Sequence, residues 1–297
     1  MKKGILERLI IYVMTGLLLM NLAGCAAKRI AGWEREQVPV EGDAAQQLIE
    51  EANTHWEQRQ DVTHLEKALE LYEQAATIDQ QNLDLFITLA RGHYFLADAY
   101  LQDDRERQTD VYDKGLAYAE KGMALEPQFK ELVESGEKVE DAVKVLDQKY
   151  VGAIYWASAS LGKWALNKGL ATILKHKERG RKMMERCVEL DETYFYGGPH
   201  RWFGSYYAKL PSIAGRDLEK SKEHFEKALQ IESNYFGTRV LRSEYYAKNS
   251  QDKELFQSDL EFVLNTPSDV IPELVPEQEA EKKKAAEMLE LIDETFL

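Results

Sequence analysis

From residue 43 onward, apolar positions recur every three to four residues, and the strict apolar–polar alternation of a half-buried strand is absent. The pattern predicts helices almost throughout, most of them separated at Pro, Gly, Asn or Asp. Four predicted helices align on one another: "YEQAATID" (72–79), "AEKGMALE" (119–126), "MERCVELD" (184–191) and "FEKALQIE" (225–232). Each has Glu at its second place, a small residue at its fourth (Ala75, Gly122, Cys187, Ala228), Ile or Leu at its seventh and an acid at its eighth. A further amphipathic helix is predicted over 275–297, with Ala285, Met288, Leu289, Ile292 and Phe296 as its apolar stripe.

The eight-place pattern matches the second helix of a tetratricopeptide repeat, where a small residue lets neighbouring helices approach closely. The first helices fit as well. Phe86, Leu89, Ala90 and His93 keep the consensus spacing, as do His200, Phe203, Gly204 and Tyr207, followed by Ser221 and Phe225. Pro127 falls on the consensus proline, and Pro267 does so in a weaker last copy. The repeat intervals exceed the ordinary length of about 34 residues. The excess lies between Ala97 and Asp110 and between Phe129 and Lys149. The expected fold is therefore all-α: an irregular tetratricopeptide-like helical array over 43–274 with a C-terminal capping helix over 275–297. The alternative use of that last helix is to bind a partner.

The N-terminus predicts location. Lys2 and Lys3 precede an apolar run that ends at Leu22-Ala23-Gly24-Cys25. This is a signal peptide over 1–24 rather than a spanning helix, and its last four residues resemble a bacterial lipobox. Cys25 would carry the lipid, and residues 25–42 would form a tether. In a Gram-negative cell Ala26 would direct the protein to the outer membrane, facing the periplasm. Cys187 is then the sole remaining cysteine, so no intramolecular disulfide is available; its helical register makes it a small core residue.

Composition narrows the function classes. A formal net charge of −14 and no basic stripe argue against nucleic acid as a partner. No zinc-protease, redox, nucleophile-elbow, P-loop or dinucleotide motif is present. The six His are scattered, and the acids show no metal-loop spacing. No catalytic residue, metal ligand or cofactor is expected.

What stands out is aromatic. "YFYGGPHRWFGSYYAKLP" (194–211) holds seven Phe, Tyr or Trp residues in a chain that is 10% aromatic. Gly197-Gly198-Pro199 reads as a turn with Pro opening a helix that runs to about Lys209. Phe203, Gly204 and Tyr207 take repeat core places, leaving Tyr194, Tyr196, Trp202 and Tyr206 in excess. A second patch, "YVGAIYWASASLGKW" (150–164), sets Tyr155, Trp156 and Trp164 among small residues. Either a packed aromatic core or a ligand pocket fits these patches. The loop at 210–217 is longer than the consensus turn, and Asp217 is placed to cap the next helix.

"YWASASLGKW", "CVELDETYFYGGPHRWFGSYYAKLPSIAGRDLEKSKEHFEKAL" and "QDKELFQSDLEFVL" resemble the T component of TRAP-type transporters. The resemblance implies a lipoprotein of stacked helices around a central pore or cavity. It implies association with a TRAP-type extracytoplasmic solute-binding protein, suggests a homotrimer, and points to a small hydrophobic ligand. On that basis Tyr155, Trp156, Trp164, Tyr196, His200 and Trp202 form the candidate pocket. The acidic segment at 130–148 could cover or alter a partner surface. The second reading is a lipid-anchored scaffold for envelope protein assembly that holds no ligand.

Overall fold

Acidic and amide side chains cap several of the helices. A computed structural model describes residues 29–35 and 44–296, and the described residues are all-helical. The expected signal peptide and Cys25 lie outside the described residues. Helix α1 spans Ala45–Trp56, α2 Val62–Ile78, α3 Leu83–Tyr100 and α4 Arg105–Met123. The side chains of Asp61, Asn82 and Asp104 accept main-chain N–H groups at the starts of α2, α3 and α4. Two short helices follow, α5 (Pro127–Glu134) and α6 (Val139–Ala142), then the long pair α7 (Val151–Lys168) and α8 (Leu170–Asp191). Helix α9 spans Tyr194–Lys209 and α10 spans Leu218–Ile231, with Asp217 capping α10 as expected. Helix α11 (Phe236–Leu241) continues through a π-helical turn (Arg242–Ala247) towards α12 (Lys253–Asn265). Helices α13 (Val275–Glu290) and α14 (Ile292–Thr295) close the chain.

Successive helices pack as hairpins, α1 on α2, α3 on α4, α7 on α8 and α9 on α10. Each hairpin leans on the next through α2–α3, α4–α7 and α8–α9. The small residues at the fourth place of the aligned helices lie at these contacts. Ala75, Cys187 and Ala228 are fully buried. A Cβ on Gly122 would sit 3.3 Å from both Ala153 and Leu83. Gly204 allows the α9–α10 crossing: a Cβ there would meet the Phe225 ring at 2.7 Å, and Ser221 donates to its carbonyl at 2.7 Å.

Three regions differ from the expectation in instructive ways. Residues 29–35, read as tether, dock on α4. Arg29 binds Asp113 and Glu120, Arg35 binds Asp113, and Gly32 N donates to the buried Glu120 carboxylate at 2.6 Å. A short 3₁₀ turn at Gly32–Glu34 presses so closely that a Cβ on Gly32 would overlap the Ala117 carbonyl. The acidic segment at 130–148 packs inward through Val139, Ala142, Val143 and Leu146, beside Phe129; its charges line the outer side.

The C-terminal helix does more than cover an end. Its stripe packs as expected, Ala285, Met288, Leu289, Ile292 and Phe296 lying against Phe236, Phe256 and Leu260. It also reaches back to the start of the array. Glu277 binds Arg59 at 2.8 Å and Arg91 at 2.7 Å, and Lys284 binds Asp98 on α3 at 2.6 Å. The helices thus close on themselves, and space is left between them.

Candidate ligand cavity

The aromatic stretch at 194–211 begins with strained backbone. Phe195 (φ 47°), Tyr196 (φ 59°) and Gly197 (φ 72°) are all left-handed. The turn therefore starts two residues before the Gly-Gly-Pro that marks it in the sequence. Left-handed conformations cost a non-glycine residue roughly 1–2 kcal/mol each, so the surroundings must hold them. Arg201 does so from the next turn, its guanidinium donating to the Phe195 carbonyl at 3.1 Å and the Tyr196 carbonyl at 3.0 Å. It also donates to the Tyr155 hydroxyl at 3.2 Å and lies over the Tyr235 ring, 4.2 Å from its centroid. The rings are pinned as well. Tyr196 stacks on Tyr235 and donates to Glu273 at 2.5 Å, and Phe195 meets Trp156 edge-on at 4.8 Å.

Behind this turn, α7, α8 and α9 part around a cavity of about 140 Å³. Its wall is largely apolar, with Tyr155, Ile173, Trp202, Tyr206, Leu210 and Leu241 among its members. Gly162 and Gly180 give it width: a Cβ on Gly162 would meet only Trp202 Nε1, at 3.7 Å. Adjoining spaces share its walls. One of about 60 Å³ is lined by Tyr155, Trp156, Arg201 and Lys284, and one of about 350 Å³ by Lys163, Lys209 and Glu244. An open groove of about 1080 Å³ carries Arg91, Phe195 and Tyr196 on its wall.

The six residues singled out in the sequence therefore divide. Tyr155 and Trp202 line the main cavity, Tyr155 and Trp156 line the small one, and Tyr196 faces the outer groove. Trp164 lies behind the wall, edge-on to the wall residue His176 at 5.7 Å. His200 shares the Gly204 face of α9 and looks towards α10. Its Nδ1 is 3.0 Å from His224 Nδ1 and its Nε2 is 3.0 Å from Glu192. Burial, with His200 beside it, pushes the His224 imidazole down to about 4; these two residues tie helices together. Arg201, Ser205 and Lys209 were missed. They recur every fourth residue on α9, a polar stripe beside Trp202 and Tyr206, and that spacing was visible in the sequence.

Among the described residues no group of His, Cys, Asp and Glu could hold a metal ion, and no helix is long and apolar enough to cross a membrane. What the fold and cavity define is a closed array of helix hairpins with an apolar-walled interior. A family model described as TRAP transporter T-component matches residues 61–296. The chain belongs to that family, which is an accessory family of transport systems and not an enzyme family. No curated protein matches the chain.

Proposed function

We propose that the protein is a lipid-anchored accessory component of a TRAP-type uptake system that pairs with the extracytoplasmic solute-binding protein and holds a small, largely apolar ligand. The observation that carries the ligand half is the cavity at Trp202, set in a chain of this family. A scaffold without a ligand would be expected to fill such space with side chains. A largely apolar cavity of this order admits a small apolar molecule. The helix hairpins are then degenerate tetratricopeptide repeats whose closure makes the interior. The lipobox-like residues 22–25 support an anchor at Cys25 facing the periplasm, and Ala26, in a Gram-negative cell, supports sorting to the outer membrane. Four residues span at most roughly 14 Å, so the docked segment beginning at Arg29 would keep the fold close to the bilayer.

Gly162→Phe tests the cavity. The new side chain starts into space and replaces a helix-interior glycine, so stability should hold or rise by about 0.3–0.5 kcal/mol. Uptake through the TRAP system should fall to that of a strain lacking the protein. Wild-type uptake by the folded variant would remove the ligand role.

A further inference from the structure

Charge in the Trp202 cavity runs against the character of the chain. The protein carries a formal −14, yet the cavity wall holds Lys163, Lys177, Arg201 and Lys209 and no Asp or Glu. Of the four cations only Lys163 has a carboxylate partner among the described residues, Asp98 at 2.5 Å, while Lys177 donates to the Ala214 carbonyl at 3.2 Å. Arg201 and Lys209 have no carboxylate within 4 Å among the described residues. Arg201 is 4% exposed. Its Nη1 and Nη2 groups donate to carbonyls and to the hydroxyls of Tyr155 and Thr238, all neutral acceptors that leave its charge uncancelled. Lys209 Nζ rests over the Tyr245 ring, 3.6 Å from the centroid. Between them lies Ser205, whose Oγ is buried with no hydrogen-bond partner in the protein. A cation in an apolar wall is costly without a counter-charge, and an unmet hydroxyl adds to that cost.

We propose that the cavity takes an amphipathic anion, its apolar body against Trp202, Tyr206 and Ile173 and its single acidic head group on Lys209 and Ser205, in the field of Arg201. This rests on the ligand-holding role above and adds to it the charge of the ligand. Burial, reinforced by Lys163, pushes the Lys209 ammonium down to about 7, against the upward pull of Glu244 and Asp98. Around it stand Lys163 from α7, Asp98 from α3 and Glu244 and Tyr245 from the π-helical turn. Glu281, Lys284 and Glu287 of α13 line the adjoining space, and Arg201 and Tyr206 share its own helix. From α8, Lys177 and His176 face the cavity, and burial holds His176 at about 4, neutral over the same range. The amine is charged below about 7 and neutral above it. A bound anion favours the charged form, so affinity is full between the carboxylate range of about 4–5, below which the head group is itself protonated, and the Lys209 value; it declines above that value, and binding there takes up protons.

Calorimetric titration of the unlipidated mature chain with octanoate, octanol and octylamine tests this. Octanoate should bind about tenfold to a hundredfold more tightly than octanol inside that pH window, the range expected of a charge-assisted hydrogen bond. Its advantage should shrink above it, and octylamine should not bind. Lys209→Met should erase the preference for octanoate while leaving octanol unchanged, and Lys209→Arg should keep it. Equal binding of octanoate and octanol, or an undiminished preference in Lys209→Met, overturns the anionic head group and leaves the apolar ligand standing. Binding of neither overturns both.

Discussion

Asp98→Asn should destabilise the protein by about 3–5 kcal/mol, the usual cost of removing one partner from a buried ionic cluster. The Asp98 side chain is 15% exposed and accepts from Lys163 at 2.5 Å, Lys284 at 2.6 Å and the Tyr112 hydroxyl at 3.0 Å. It joins α3, α7 and α13, elements far apart in the chain. Without its charge, two ammonium groups would face each other beside the cavity. The pH dependence has a definite sign. Burial pushes the Asp98 carboxyl up, but the two lysines outweigh it and hold it well below the usual range. A carboxyl lowered in the folded state contributes stability that is fully present above its unfolded value and is lost progressively as pH falls from that value through the folded one. The parent should therefore retain this contribution in mild acid. Urea denaturation at neutral pH measures the effect, and a loss under about 1 kcal/mol, the scale of an exposed ion pair, would show that the cluster is not structural.

Arg201→Met should cost about 3 kcal/mol or more, since each buried acceptor left without a donor costs about 1–3 kcal/mol. The carbonyls of Phe195 and Tyr196 and the Tyr155 hydroxyl all lose a partner. Two non-glycine residues also sit in left-handed conformations that the guanidinium helps to hold. The damage should be local before it is global. Hydrogen exchange at residues 194–198 should rise by more than at α1 and α2, because local opening samples the least supported backbone first. Unchanged protection there would mean that the aromatic packing alone maintains the turn.

Local features were legible in the sequence. Cys187 and Ala228 follow from an eight-place pattern repeated along the chain and Gly204 from the consensus spacing of a repeat's first helix, and each is buried at a helix contact. The Asp217 cap and the stripe from Ala285 to Phe296 rest on spacings of a few residues, and both are found. The family resemblance, carried by the motifs around residues 190–225, matches the family model. What the sequence concealed depends on distant partners. Arg29 and Glu120 meet across most of the first half of the chain, so an aperiodic stretch read as tether is packed. No spacing in the sequence links Asp98 with Lys163 and Lys284, and the packing of α7 and α13 on α3 brings them together. Trp156 and Trp202 line different spaces because an aromatic excess carries no information about which helix face meets which neighbour. His200 was drawn into the candidate pocket by its neighbours in sequence, whereas one step along a helix turns a side chain through about 100°.

Pairing with the solute-binding protein is the central claim, and native mass spectrometry of the unlipidated mature chain with a TRAP-type solute-binding protein from the same organism tests that claim most directly. A complex that persists at micromolar concentration, with a mass giving the copy number of each partner, is the predicted result; three copies of this chain would also meet the trimer expectation. Two separate species at that concentration would contradict the account.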